Sequence, residues 1–144
     1  MHVAQILRTK GGTVTTVLPE TTIAEAISTL AKRRIGAVLV TSEGGRVAGI
    51  LSERDIVRGL AEHGGALLSM QTASLMTRAV VTCAPDNTID EIMEEMTRRR
   101  FRHLPVLDGE RLVGIISIGD VVKNRVEELA AEGDMLRSYI AGAA

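Results

Sequence analysis

Aromatic side chains are almost missing from this 144-residue chain, which has one phenylalanine, one tyrosine and no tryptophan. Phe101 and Tyr139 alone cannot build the stacking platforms on which single-stranded nucleic acids are held. An excess of one charge is missing too. The 17 Lys and Arg stand against 18 Asp and Glu, and the net charge of -1 gives no general attraction to nucleic acid or to an anionic membrane. No apolar run approaches the roughly 20 residues that a membrane-spanning helix needs. The N-terminus, Met1 to Arg8, lacks the charged-then-apolar order of a secretion signal, so a cytoplasmic location is the expectation. The single cysteine, Cys83, excludes an internal disulfide and reads as a small buried apolar residue. His2, His63 and His103 have no metal-ligand spacing among themselves or with it, and no metal is expected. Enzyme signatures are lacking as well. There is no Gly-x-x-x-x-Gly-Lys phosphate loop, and Glu94 and Glu95, adjacent on a helix, point in different directions. The chain reads as non-catalytic.

What is present is a repeat. Pro19-Glu20-Thr21-Thr22-Ile23 returns as Pro85-Asp86-Asn87-Thr88-Ile89. Val47-Ala48-Gly49-Ile50-Leu51-Ser52-Glu53-Arg54-Asp55-Ile56-Val57 returns as Leu112-Val113-Gly114-Ile115-Ile116-Ser117-Ile118-Gly119-Asp120-Val121-Val122. The offset shortens by one residue between the two blocks, inside a glycine-containing turn, where a true repeat tolerates an indel. Each copy passes through the same periodicities. Ile23, Ala26, Ile27, Leu30 and Ala31, and then Ile89, Ile92, Met93 and Met96, mark amphipathic helices with one buried stripe. Thr22 with Glu25, and Thr88 with Glu91, read as capping boxes at their starts. Two short apolar runs joined by a glycine turn then predict a hairpin, Ala37–Val40 with Val47–Leu51 and Leu104–Leu107 with Leu112–Ile116. A second helix opens at Ser52 or Ser117. With short strands near Val14–Val17 and Val80–Thr82, each copy is an α/β unit ordered βαββα. The boundaries expected are 1–67 for the first repeat, 68–132 for the second, and 133–144 for a C-terminal helical extension. Either copy alone would expose its apolar faces, so a pair related by a pseudo-twofold axis and sharing one core is the expected product. Clefts at such a junction are common small-molecule sites.

The hydrophobic-Gly-hydrophobic-hydrophobic-Ser-x-x-Asp pattern, ending at Asp55 and again at Asp120, with Arg102-His103-Leu104-Pro105-Val106 before the second copy, resembles the CBS (cystathionine-beta-synthase) domain. The resemblance spans nearly the whole chain, about Val3 to Leu129. It implies a tandem pair that binds an adenine nucleotide, AMP, ATP or NAD(H), in the clefts between the repeats and regulates rather than catalyses. It also implies a homodimer and, because no output domain is present, a protein effector acted on in trans. By this resemblance Asp55 and Asp120 hold ribose hydroxyls, Ser52 and Ser117 approach the phosphate, and Arg102 and His103, with Pro105 beside them, lie near the phosphates.

Elementary chemistry agrees with these roles. A carboxylate accepts two hydrogen bonds from a ribose diol, and a helix start favours an anion. Ser-x-x-Asp is also close to a capping box. The first helices place the longer Glu at the third position and the second helices the shorter Asp, which points Asp55 and Asp120 toward ligand rather than capping, with the serines doing both. Lys10, flanked by Gly11, and Arg54 each read either as phosphate contacts or as surface cations. The first copy offers Gly36 and Ala37 where the second has Arg102 and His103, so the clefts should differ. Val122, Val126, Leu129, Leu136 and Ile140 form a short helical seam apart from Gly133. The competing reading is a structural dimerisation module with degenerate clefts.

Overall fold

The computed structural model describes residues 1–143, and Ala144, the last residue of the expected extension, lies outside the described residues. In chain order the elements are α1 (Val3–Lys10), β1 (Thr16–Val17), α2 (Ile23–Arg33), β2 (Ala37–Thr41), β3 (Val47–Ser52), α3 (Glu53–His63), α4 (Ile89–Arg99), β4 (His103–Asp108), β5 (Arg111–Ser117) and α5 (Ile118–Ala143). Two short 3-10 turns, Gly64–Ser69 and Thr72–Ser74, join α3 to α4. Of the predicted helix stripes, Ile23, Ala26 and Leu30 on α2 and Ile89, Ile92 and Met96 on α4 are buried, Ile27 and Met93 are half-buried, and Ala31, at the edge of the stripe, is exposed. Both predicted hairpins form as antiparallel pairs, β2 with β3 and β4 with β5.

The first repeat adds β1 parallel to β2, through Thr16 opposite Leu39 and Val17 opposite Val40. The strand expected at Val80–Thr82 does not form. Its place is taken by one parallel bridge, Cys83 to Val106, in which Cys83 N–H donates to Pro105 O at 2.9 Å and Leu107 N–H to Cys83 O at 2.8 Å. Continuing this ladder toward the N-terminus would need an N–H on residue 105, and proline has none. The expected extension is not a separate element either, because α5 runs unbroken through Gly133.

Buried apolar residues gather in two clusters, one per half, so the shared core takes the form of two linked cores. One holds Val17, Ile23, Leu30, Val38, Leu51, Leu67 and Met76; the other holds Cys83, Ile89, Met96, Leu104, Ile116 and Val121 together with Val3 and Ile6 of α1. Helix α1 opens the first repeat yet completes the core of the second. Each residue it buries is worth about 1.5–3 kcal/mol. Backbone bonds fasten it: Val3 N–H donates to Asn87 O and Ile89 N–H to Met1 O, both at 2.9 Å. The first half repeats this arrangement with residues 70–72. There Ile23 N–H donates to Met70 O at 2.9 Å and Thr72 N–H to Thr21 O at 2.8 Å.

The glycines of the repeated motif make room for these segments. A Cβ on Gly49 would lie 2.8 Å from the carbonyl oxygen of Thr77, and one on Gly114 would lie 2.5 Å from the tip of Leu7. A side-chain tip can rotate away, whereas a hydrogen-bonded carbonyl cannot. Gly49→Ala is therefore predicted to cost about 1–3 kcal/mol in urea unfolding, and Gly114→Ala clearly less. Equal losses would count against this view of the two contacts.

Candidate ligand-binding clefts

Each Ser-x-x-Asp sits where a strand hands over to a helix. Ser52 ends β3 and caps α3, and Ser117 ends β5 and stands directly before α5. A backbone bond pins each handover to the start of the neighbouring strand, from Glu53 N–H to Gly36 O at 3.0 Å and from Ile118 N–H to Arg102 O at 2.8 Å. The geometry reverses the expectation drawn from side-chain length. Asp55 Oδ2 accepts from Ser52 N–H at 2.9 Å while Asp55 N–H donates to Ser52 Oγ at 3.2 Å, and Asp120 makes the same reciprocal pair with Ser117 at 2.9 and 3.1 Å. The expected boxes at the first helices are only half made. Glu25 and Glu91 lend their N–H groups to Thr22 and Thr88, and the Glu91 carboxylate instead accepts from Asn87 at 2.8 Å. Those helix starts are held by the incoming segments at Ile23 and Ile89, whereas the serines are oriented by the strands they end, within reach of the shorter Asp.

The two aspartates meet different neighbours. Thr77 Oγ1 donates to Asp55 Oδ1 at 3.4 Å, and Thr77 N–H to Ile50 O at 2.9 Å. In the second half the matching carbonyl and carboxylate, Ile115 O and Asp120 Oδ2, are both taken by the Lys10 ammonium, at 2.9 and 2.6 Å. Burial alone would raise the Asp120 carboxyl, but hydrogen bonds from Lys10 and Ser117 outweigh it and hold the group below its ordinary 3.8.

His103, at the start of β4, faces the first half. A Cβ on Gly36 would come 3.6 Å from its Cε1 and 3.9 Å from the Glu53 carboxyl carbon. The imidazole thus lies beside Gly36 with ordinary contact room left for a Cβ. Burial pushes His103 below its ordinary 6.5, with Lys10 and Arg102 adding to the shift and Asp120 and Glu53 opposing it.

Lys10, Ser117, Asp120 and His103 therefore come together, as do Ser52 and Asp55. The Arg102 side chain is exposed, and Pro105 is buried in β4, where its carbonyl serves the Cys83 bridge. Among the described residues no hydrogen bond or ion pair engages the exposed Arg54 side chain. Thr77 and Glu53 were not singled out from the sequence. Two recesses open on the described residues, and neither is lined by Ser52, Asp55, Ser117 or Asp120. A groove of about 670 Å3 between α2 and α3 is floored by Ile27, Leu30, Ile35 and Ile56 and reaches Glu53, and one of about 460 Å3 lies along α4 near Cys83 and Glu91. Burial pushes the Cys83 thiol up to about 11, so it stays protonated. Among the described residues no three His, Cys, Asp or Glu side chains are grouped to hold a metal ion, and no helix is long and apolar enough to cross a membrane.

The CBS domain family model matches residues 3–62 and 73–127, and the chain belongs to that family. It is 49% identical to the CBS-domain containing protein ATU1752 from Agrobacterium tumefaciens, whose crystal structure superposes with a TM-score of 0.84 over 86% of this chain and 92% of that one. It is 30% identical to the mitochondrial CBS domain-containing protein CBSX3 of Arabidopsis thaliana, over 97% of this chain and 72% of the relative. Two further CBS structures, each 26% identical, contain adenosyl ligands. PAE2072 from Pyrobaculum aerophilum is complexed with AMP (TM-score 0.74, 83% of this chain and 89% of that one), and the CBS pair of MJ0100 with 5'-methylthioadenosine and S-adenosyl-L-methionine (TM-score 0.80, 89% and 98%). The tandem α/β pair is thus a fold that accommodates adenosyl compounds in its relatives.

The lowered His103 sets a pH dependence. The unfolded chain takes up this proton near 6.5 and the folded chain only at lower pH, so the unfolded state binds more protons in between. His103 should cost folding stability as pH falls from about 6.5, the loss levelling off once the folded imidazole also protonates. Asp120 acts only below 3.8. Urea midpoints at pH 7.5 and 5.5 should fall less in His103→Gln than in the wild type; parallel falls would remove His103 as the source.

Proposed function

We propose that this protein is a regulatory module that binds an adenine nucleotide, AMP, ATP or NAD(H), in its two clefts and passes the resulting change to a separate protein. The observation carrying this reading is the pair of Ser-x-x-Asp helix starts, Ser52/Asp55 and Ser117/Asp120, at matching places in the two repeats. In it Asp55 and Asp120 take the ribose hydroxyls, and His103, Arg102, Arg54 and Lys10 serve the phosphates. A binding event regulates only if two arrangements of the protein differ in affinity for the ligand. The module works as a cytoplasmic homodimer without catalytic turnover. Support for pairing comes from exposed apolar residues on the two equivalent helices, Val57 and Leu60 on α3 and Val122, Val126 and Leu129 on α5. Sedimentation should show a dimer that Val126→Glu weakens at least tenfold; a monomer at all concentrations would remove this part.

One observation favours a second reading, a dimerisation module with unused clefts: both aspartates are already engaged by helix caps. Calorimetry against AMP, ATP, NADH and S-adenosylmethionine decides between the two, with Asp55→Ala and Asp120→Ala alongside. Each substitution removes part of a helix cap and should cost about 1 kcal/mol of stability, so retained folding is checked by thermal melting. Saturable binding whose stoichiometry falls in each single variant is the expected result. No binding by nucleotide-free, folded protein would leave the dimerisation module.

A further inference from the structure

The two clefts are built on one plan but are not chemically alike. Where the first offers Asp55 a neutral hydroxyl at 3.4 Å, the second offers Asp120 an ammonium at 2.6 Å, carried by Lys10 from a helix more than a hundred residues away in sequence. The Lys10 side chain is 32% exposed and that of Asp120 23%, so the pair is partly shielded from water. The lysine is held in place. Val3 and Ile6 anchor α1 in the second core, Leu7 packs over Gly114, and the ammonium also donates to Ile115 O at 2.9 Å. Asp120 Oδ2 already accepts from both Lys10 and Ser117 N–H.

Given the nucleotide-binding reading above, on which this rests, we infer that Lys10 is a specificity-determining residue that makes the Asp120 cleft select adenosyl ligands carrying an anionic group. A ribose diol binding across both carboxylate oxygens must displace the ammonium from Oδ2. If the ligand is uncharged, that displacement leaves a cation without its partner in a place partly shielded from water, and breaking half of such a pair costs binding. If the ligand carries a phosphate, the freed ammonium gains a charge-assisted hydrogen bond in exchange. The same lysine therefore competes with adenosine and assists AMP. The Asp55 cleft, with Thr77 in that place, has no such ammonium and should discriminate less.

AMP and adenosine share base and ribose and differ in the phosphate, so calorimetry with the two isolates the effect. The titrations use an Asp55→Ala background, so that heat reports the second cleft, with Lys10 intact, Lys10→Met and Lys10→Arg. With Lys10 intact AMP should bind more tightly than adenosine. Lys10→Met should shrink that preference on the order of tenfold, by weakening AMP and tightening adenosine together. Lys10→Arg should keep most of it. A preference unchanged in Lys10→Met, or AMP weakened with adenosine untouched, would overturn the inference while nucleotide binding stands. Absence of AMP and adenosine binding in every form, the otherwise unmodified protein included, would overturn the binding reading and this inference with it.

Discussion

The structure depends on an exchange of short segments between and within the halves. Each half has a sheet and a pair of helices whose apolar faces do not close on themselves, and each is finished by the segment that opens the other repeat. Met1 to Ile6 finishes the second half and the stretch around Met70 to Met76 finishes the first. The first of these contacts joins opposite ends of the chain and makes the two repeats one closed unit. It also brings a lysine from the N-terminus to a carboxylate near the C-terminus.

The helix starts show how one arrangement serves stability and a candidate site together. A serine ending a strand has its N–H oriented by that strand, and an aspartate three residues on reaches back to it. The reciprocal bonds that close the helix end hold the carboxylate in one position. A pre-positioned carboxylate loses little freedom when a ligand arrives. Capping and ligand duty are therefore compatible readings of the same side chain, and a capped aspartate is not thereby a spent one.

The two halves are most alike in backbone and least alike in charge. Gly36 stands where Arg102 does in the second copy, Thr77 stands where Lys10 does, and His103 lies beside Gly36. Cations thus collect toward the second cleft. Burial, with Lys10 and Arg102, keeps His103 low, so the imidazole is neutral near pH 7 and supplies shape there rather than fixed charge.

Local patterns carried far in this protein because they repeat. Helical stripes, hairpins and helix starts were all readable, since each rests on periodicity or on interactions within a few residues, and two copies in register named the family. What failed rested on contacts that no local pattern records. The strand at Val80–Thr82 shrank to a bridge because its partner strand carries Pro105 at the register position where an N–H was needed. The roles of Glu25, Glu91, Asp55 and Asp120 in capping were inverted because the orientation of the cap residue, not the length of the acidic side chain, decides who reaches whom. The role of Lys10 was open between phosphate contact and surface cation. Only the tertiary structure decided that it lies against Asp120, because the docking of α1 on the second repeat is a matter of which core has a vacancy, and a vacancy exists only once both halves are folded.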